Sequence, residues 1–119
     1  MEVTMDMNGP AVLLRIFIGE KDRSDGLPLY TAIVKAARSA GIAGATVLRG
    51  IEGYGASSLL HTARLLRLSE DLPIVIEIVD TERTVERFMP TLDALFERAK
   101  CGGMVTRETV QVIVYRSQR

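Results

Sequence analysis

Residues 43–80, AGATVLRGIEGYGASSLLHTARLLRLSEDLPIVIEIVD, place a long polar segment punctuated by glycines between two runs that resemble β-strands. The second run, LPIVIEIV, has three isoleucines on one face and Val75, Glu77 and Val79 on the other, which is the two-residue period of a strand. The first run covers Ala45–Ile51 and weakens toward its glycines. The stretch therefore predicts two strands joined by a loop, and we expect function to lie in that loop.

The residues before this stretch predict a strand and then a helix. AVLLRIFIG, from Ala11 to Gly19, has β-branched and aromatic content and one purely apolar face. Pro28 suits a first helical turn. Apolar residues then recur at helical spacing until Gly41, at positions Leu29, Ile33, Ala36, Ala37 and Ala40.

The residues after this stretch predict a second helix and a last strand. Asp80 or Thr81 can cap a helix. Its apolar stripe consists of Val85, Phe88, Met89, Leu92, Leu95 and Phe96. We expect Pro90 to kink this helix without ending it. After the break at 101–103, alternation predicts a strand near Thr109–Tyr115, with Val110, Val112 and Val114 on one face and Gln111 and Ile113 on the other.

The predicted order is β-α-β-β-α-β, which is the split βαβ arrangement of ferredoxin-like α+β folds. Right-handed crossovers would place both helices on one face of a four-stranded antiparallel sheet. We expect the apolar strand faces to meet the helices. The other face would then carry Leu13, Phe17, Val75, Val79 and Ile113 together with Arg15, Glu77 and Gln111. This mixed face predicts a homo-oligomer that covers it, and the alternative is a solvated face with scattered apolar residues.

Length and charge limit the classes of protein. A chain of 119 residues predicts a single domain over 11–119, with residues 1–10 as a flexible leader. Fifteen basic and fifteen acidic side chains cancel, so no overall field favours nucleic acid or an anionic membrane. The single cysteine, the absence of a signal-like start and the lack of an apolar run long enough for a bilayer predict a cytoplasmic protein without membrane insertion.

Two glycine clusters are candidates for binding an anion through backbone N–H groups. Gly50, Gly53 and Gly55 follow the second strand, and Gly102-Gly103 precedes the last one. Neither a dinucleotide fingerprint nor a Walker motif is present. Strand bending explains the first cluster equally well, and helix termination is the alternative for the second.

Few other side chains are candidates for binding or catalysis. His61, Arg64 and Arg67 recur every three residues and could hold an anion or an acidic partner, although a solvated charged face is the alternative. One histidine without a cysteine pair falls short of a metal site. Cys101 has no evident activating base, so we expect no enzyme activity.

The motif GATVLRGIEGYGASS at 44–58, followed by His61 and by RLSEDLPIVIEIVD at 67–80, closely resembles small bacterial proteins grouped as domain of unknown function 190. These proteins are related to the nitrogen-regulatory PII proteins. The resemblance covers 11–115 and implies a ferredoxin-like subunit in a PII-like homotrimer.

The resemblance also implies a ligand site in the clefts between subunits. PII proteins hold nucleotide there with the base of the long loop and a glycine turn before the last strand. Met104 stands where PII proteins carry a phosphate-binding lysine, and Arg116 lies near their basic residue. The implied ligand residues are Gly53, Tyr54, Gly55, Ser57, Lys100, Gly102, Gly103 and Arg116.

By this resemblance, the chain is a regulatory protein with no obligatory cofactor that binds an adenine nucleotide or a similar small anion. Its loop 53–71, with His61, Arg64 and Arg67, would contact a target protein such as a transporter. The alternatives are a trimeric metal-binding stress protein of ferredoxin-like fold and, least favoured, a small enzyme.

Overall fold

The computed structural model describes residues 8–55 and 71–117 of the chain. Strands and helices follow one another there in the order that the sequence predicts, with one small addition. They are β1 (Gly9–Gly19), β2 (Arg23–Ser24), β3 (Leu27–Pro28), α1 (Leu29–Ser39), β4 (Ala45–Arg49), β5 (Pro73–Asp80), α2 (Glu82–Ala99) and β6 (Met104–Val112).

The main sheet has four antiparallel strands in the order β4-β5-β1-β6. The two strands at its centre, β1 and β5, pair over eight residues, from Val12 opposite Asp80 to Gly19 opposite Pro73. Both helices pack on the same side of this sheet. The structure therefore confirms the predicted ferredoxin-like α+β sandwich with its β-α-β-β-α-β order.

The core lies between the sheet and the helices, where the alternating strand faces bury their isoleucines. Ile16 and Ile76 are opposite each other in the ladder, and both are fully buried. Phe88 is the largest of the fully buried side chains. The helices contribute Leu29, Ile33 and Ala37 from α1 and Val85, Phe88, Leu92 and Leu95 from α2.

The helix ends agree with the sequence signals. Pro28 is the N-cap of α1, and Gly41, at φ 81°, follows its end. The hydroxyl of Thr81 accepts the N–H of Thr84 at 3.3 Å and caps α2. α2 passes through Pro90 as one helix of 18 residues, so the predicted kink does not divide it.

Asp80 has a structural role at the end of β5 that the sequence did not predict. Its side chain is fully buried. One carboxylate oxygen accepts the N–H of Ala43 at 2.8 Å and the other accepts that of Thr81 at 2.6 Å. The carboxylate therefore joins the segment before β4 to the start of α2.

Two boundaries near the N-terminus differ from the prediction. Gly9 and Pro10, the end of the predicted leader, belong to β1, whereas residues 1–7 lie outside the described part of the chain. The segment between β1 and α1 forms the short β2-β3 hairpin over residues 23–28, which the sequence pattern does not predict. Asp25 and Gly26 form its turn with φ values of 50° and 83°. An Asp-Gly pair is the usual sequence signal of such a turn.

The last strand was predicted wrongly in both position and face. β6 begins at Met104, five residues before the predicted start, and ends at Val112, three residues before the predicted end. Val110 is opposite Ala11 and Glu108 is opposite Leu13. Directly opposed residues share a face, so Val110 and Val112 lie with Leu13 on the face away from the helices, which we call the outer face. Gln111 lies on the helix side, and Ile113 follows the strand.

Candidate functional site

The loop base, residues 50–55, leaves β4 over the ring of Pro73. The N–H of Gly50 donates to the carbonyl of Pro73 at 2.7 Å. A Cβ on Gly50 would lie 2.9 Å from Cγ of Pro73, and one on Gly53 would lie 3.2 Å from it. Gly53 also has φ 148°, which few other residues adopt. Close approach to Pro73 therefore explains, without a ligand, why glycine occupies both positions.

The loop base also presents an aromatic ring to its surroundings. Tyr54 is 77% exposed and stands between Gly53 and Gly55. An exposed ring of this kind can stack on a nucleobase. Ser57, His61, Arg64 and Arg67, which the sequence assigns to the same loop, lie outside the described residues.

The glycine turn, residues 100–103, connects α2 to β6. Lys100 ends α2 in the left-handed conformation at φ 55°, and its N–H donates to the carbonyl of Phe96 at 2.9 Å. A Cβ on Gly103 would lie 2.7 Å from Cε1 of Phe96 and 2.9 Å from the carbonyl oxygen of Phe17. Packing against β1 and α2 therefore requires glycine at 103, independently of any ligand.

The thiol of Cys101, which lies within this turn, is held in its protonated form. Partial burial raises the pKa of Cys101 from 9.0 to about 11, and the carboxylate of Asp22, which accepts a hydrogen bond from the thiol, contributes to the rise. A thiol with this pKa is a poor nucleophile near neutral pH. The described ranges 8–55 and 71–117 also contain no group of three or more His, Cys, Asp or Glu side chains placed to hold a metal ion.

The loop base and the glycine turn lie at the same end of the sheet but on opposite edges. Arg49 is opposite Ile74, which is opposite Ile18, and Met104 is opposite Phe17. Because β5 and β1 lie between the edge strands, the two segments are separated by three strand spacings, or about 14 Å.

Arg116 lies at the other end of the molecule. It follows β6 by four residues, and β6 runs for nine residues away from the glycine turn, which corresponds to about 30 Å. Nearby, the N–H of Tyr115 donates to the side chain of Asn8 at 3.0 Å. One subunit therefore does not bring together the loop base, the glycine turn and Arg116.

One segment that the sequence did not single out contacts both halves of the candidate site. The turn at 19–22 follows β1. Glu20 pairs with Arg49 at 3.2 Å, and the N–H of Lys21 donates to Asp71 at 3.0 Å, at the end of the long loop. Asp22 accepts the N–H of Gly19 at 2.8 Å and contacts Cys101. No sequence motif indicates this segment, because Arg49, Asp71 and Cys101 are distant from it in the chain.

The outer face combines an apolar row with a central group of charges. Leu48, Val75, Phe17 and Met104 form one row across all four strands. In the next rows, Arg15 pairs with Glu77 at 3.0 Å and with Glu108 at 3.3 Å. These contacts hold the guanidinium on the face that the sequence predicts to be covered.

A pocket of about 380 Å³ opens on the same face, toward the end of the sheet that is distant from the loop base. Glu77, Thr46 and Tyr115 provide its polar groups, and Val79 and Val112 are among its apolar lining residues. No sequence motif indicates this pocket, because its lining comes from three separate segments, 43–46, 77–79 and 112–115.

Solved structures with the same architecture are PII-like proteins. CPII from Thiomonas intermedia K12, bound to ADP, AMP and acetate, superposes with a TM-score of 0.60 over 91% of this chain and 92% of that one, at 19% identity. A putative PII-like signalling protein from Thermus thermophilus gives 0.58 over 92% and 94%, also at 19% identity. These similarities define the chain as PII-like in fold.

The sequence comparisons then identify the family. Residues 11–112 match the family described as "Uncharacterized ACR, COG1993", domain of unknown function 190, and the chain belongs to it. A UPF0166 protein of Aquifex aeolicus is 38% identical over 85% of this chain and 91% of its own length. One from Methanocaldococcus jannaschii is 38% identical over 80% and 84%. The family resemblance seen in the sequence is therefore confirmed.

Proposed function

We propose that this chain is the subunit of a PII-like regulatory homotrimer that binds an adenine nucleotide or a similar small anion between its subunits. The observation that carries the proposal is the separation of the candidate ligand residues. The loop base and the glycine turn lie at one end of the sheet on opposite edges, and Arg116 lies beyond the other end. Residues of neighbouring subunits can complete one cleft, whereas those of a single subunit cannot.

The choice of an adenine nucleotide rests on the PII-like proteins and on the loop base. CPII from Thiomonas intermedia K12 was solved with ADP and AMP. In this chain, Tyr54 offers an exposed ring for an adenine base, and the backbone of Gly53 and Gly55 permits close approach. In the predicted ligand set, Lys100 and Arg116 are the cations for phosphate oxygens.

The outer face supports the trimer. Its apolar row includes Leu48, which is 47% exposed in the single subunit, and Met104, which is 55% exposed. Apolar rows that cross a whole sheet are usually buried by another protein surface. A symmetric homo-oligomer covers such a face on every subunit at once.

The regulatory part of the proposal concerns loop 53–71. Ligand at the loop base would order the loop and change its fit to a target protein, for which His61, Arg64 and Arg67 are the predicted contacts and a transporter is one candidate. We infer a non-enzymatic role, since the protonated Cys101 thiol is a poor nucleophile near neutral pH. No helix within the described ranges is long and apolar enough to cross a membrane.

Calorimetric titration with ATP, ADP, AMP and cyclic nucleotides tests the proposal, at protein concentrations of about 100 µM, which suit micromolar affinity. We expect one nucleotide per subunit. Tyr54→Ala should weaken binding about tenfold through lost stacking. Lys35→Ala, a substitution of an exposed residue on α1, is the control and should bind as the wild type does. Absence of heat with every nucleotide would contradict the proposal.

A further inference from the structure

The two ends of the long loop leave neighbouring strands and lie beside a third segment. The end after β4, residues 49–50, is called the first leg, and the end that leads into β5, residues 71–73, is called the second leg. The N–H of Gly50 donates to the carbonyl of Pro73 at 2.7 Å, which is the last bond between the legs in the sheet. The turn at 19–22, which we call the connecting turn, follows β1 on the other side of β5.

One residue of the connecting turn contacts both legs. The N–H of Glu20 donates to the carbonyl of Leu72 in the second leg at 2.9 Å. The carboxylate of Glu20 pairs with the guanidinium of Arg49 in the first leg at 3.2 Å. Since β5 lies between β1 and β4, this side chain spans the strand that separates the connecting turn from the first leg.

The second leg is also held by a carboxylate that lies against the backbone of the connecting turn. The N–H of Lys21 donates to Oδ1 of Asp71 at 3.0 Å. A Cβ on Gly19 would lie 2.9 Å from Oδ1 and 3.2 Å from Oδ2 of the same carboxylate. Glycine at position 19 therefore leaves the space that the Asp71 side chain occupies.

The connecting turn is itself fixed by hydrogen bonds. The N–H of Asp22 donates to the carbonyl of Gly19 at 3.2 Å, and the carboxylate of Asp22 accepts the N–H of Gly19 at 2.8 Å. The carbonyl of Asp22 accepts the N–H of Leu29, the first residue of α1, at 2.7 Å. Because the turn is closed on itself and joined to a helix, we expect a displacement at one of its contacts to reach the others.

The contacts between the connecting turn and the legs can open without unfolding the sheet. In the ion pair, the side chain of Arg49 is 61% exposed and that of Glu20 is 24% exposed. Exposed ion pairs contribute little to stability, and segments held by solvent-exposed hydrogen bonds open at low free energy. The isoleucines of β1 and β5 are buried in the core, by contrast, and keep the strands in place.

We propose that the connecting turn couples the two legs, so that they separate from it together and not independently. This device goes beyond the proposed function, because the coupling needs no ligand. It would also serve regulation, since the loop base at 50–55 directly continues the first leg. A contact made at the loop base would then change how firmly the second leg is held.

Hydrogen exchange of single amides, followed by NMR on the full chain without ligand, tests the coupling. Arg49→Met removes the ion pair of the first leg and keeps a long side chain. The N–H of Lys21, whose acceptor Asp71 belongs to the second leg, should exchange about threefold faster, as expected for loss of an exposed ion pair. Arg98→Met removes an exposed ion pair with Asp25, at 3.3 Å, and should leave this rate unchanged.

A second variant approaches the device from the other leg without changing any charge. Gly19→Ala would displace the carboxylate of Asp71 from the connecting turn. If the legs are coupled, the N–H of Gly50 in the first leg should also exchange faster, by a similar factor. Gly44→Ala is the control, because no atom of the described residues lies within 4 Å of a Cβ there, and it should leave the Gly50 rate unchanged.

The rates are compared with that of the Ile76 amide in the buried part of β5, which corrects for a change in global stability. Faster relative exchange of Lys21 in Arg49→Met and of Gly50 in Gly19→Ala would support the coupling. An unchanged relative rate at either reporter would show that the legs are held independently and would overturn the inference. The proposed function is tested separately by calorimetry, so its failure and the failure of this inference are distinguishable.

Discussion

At the scale of residues, close packing explains why glycine occupies several positions of the candidate site. Gly50 and Gly53 allow the loop base to pass close over Pro73, and Gly103 allows β6 to begin against Phe96 and the backbone of Phe17. By contrast, no atom of the described residues lies within 4 Å of the place of a Cβ on Gly55. Packing therefore explains three of these glycines.

The contacts at Gly103 predict a loss of stability on substitution. Gly103→Ala would place a methyl group 2.7 Å from the Phe96 ring and 2.9 Å from a backbone oxygen. We expect the free energy of unfolding to fall by about 2 kcal/mol, as in other overpacked sites. Urea denaturation measures this change.

Gly44→Ala is the matched control, since no atom of the described residues lies within 4 Å of a Cβ at that position. It should change the free energy of unfolding by less than about 0.5 kcal/mol. Equal effects of the two substitutions would show that the close contacts at Gly103 do not limit stability.

The environment of Cys101 predicts a slow reaction with alkylating reagents. With a pKa of about 11 instead of 9.0, the thiolate fraction at pH 8 is about a hundredfold lower than in the unfolded chain. We expect alkylation by iodoacetamide to be at least that much slower in the folded protein and to accelerate as the pH rises toward 11. Asp22→Asn should speed the reaction, and equal rates in native and urea-unfolded protein would contradict the assigned environment.

At the scale of elements, the strength of the apolar periodicity decided which helices and strands could be predicted from the sequence. The isoleucines of β1 and β5 alternate without interruption, and the apolar residues of both helices recur at helical spacing, so these four elements were predicted correctly. The two-residue strands of the hairpin at 23–28 are too short for a periodic signal, although Asp25-Gly26 indicates its turn.

The prediction of β6 failed because both faces of this strand are partly apolar and the strand lies at an edge of the sheet. Val105 faces the helices, whereas Val110 and Val112 face outward with Leu13. Arg107 lies on the helix side, where it pairs with Glu86 at 2.6 Å, so a charged residue occupies a helix-side position of this edge strand. A shift of one residue in a strand reverses every face, and local sequence alone did not fix the register here.

The candidate site was predictable only in part. Its glycine turns follow from sequence because glycine punctuates elements. The separation between the loop base and Arg116, and the contacts of Glu20 with Arg49 and of Lys21 with Asp71, depend on strand order. Such long-range relations become visible only in the folded chain.

The contact between Lys21 and Asp71 predicts how the end of the long loop is held. Asp71→Ala removes the acceptor of the Lys21 N–H, which lies 3.0 Å away. We expect amide exchange at 19–22 to become about tenfold faster, which corresponds to a lost hydrogen bond of about 1.4 kcal/mol. Hydrogen exchange with mass spectrometry measures it, with Glu52→Ala at the exposed loop base as the control. Unchanged exchange would show that Asp71 does not hold this turn.

At the scale of the whole molecule, the outer face is the surface through which we expect subunits to associate. Leu48 belongs to its apolar row and is 47% exposed in the single subunit. Leu48→Glu should therefore dissociate the trimer without unfolding the subunit, because a buried unpaired carboxylate is costly at an interface. Light scattering should give about three times 13.1 kDa for the wild type and a smaller mass for the variant.

Leu27→Glu is the control for this substitution. Leu27 is 37% exposed and lies on β3, outside the main sheet. The control should keep the mass of the wild type. A monomeric wild type, or a Leu48→Glu variant of unchanged mass, would contradict the role of the outer face.

The most direct test of the central claim, a nucleotide site shared between subunits, is a crystal structure of the full chain with AMP. We predict AMP in each cleft between neighbouring subunits, in contact with Gly53 and Tyr54 of one subunit and with Gly102 and Gly103 of the next. AMP held within a single subunit, such as in the pocket beside Tyr115, or bound away from both glycine segments, would contradict it.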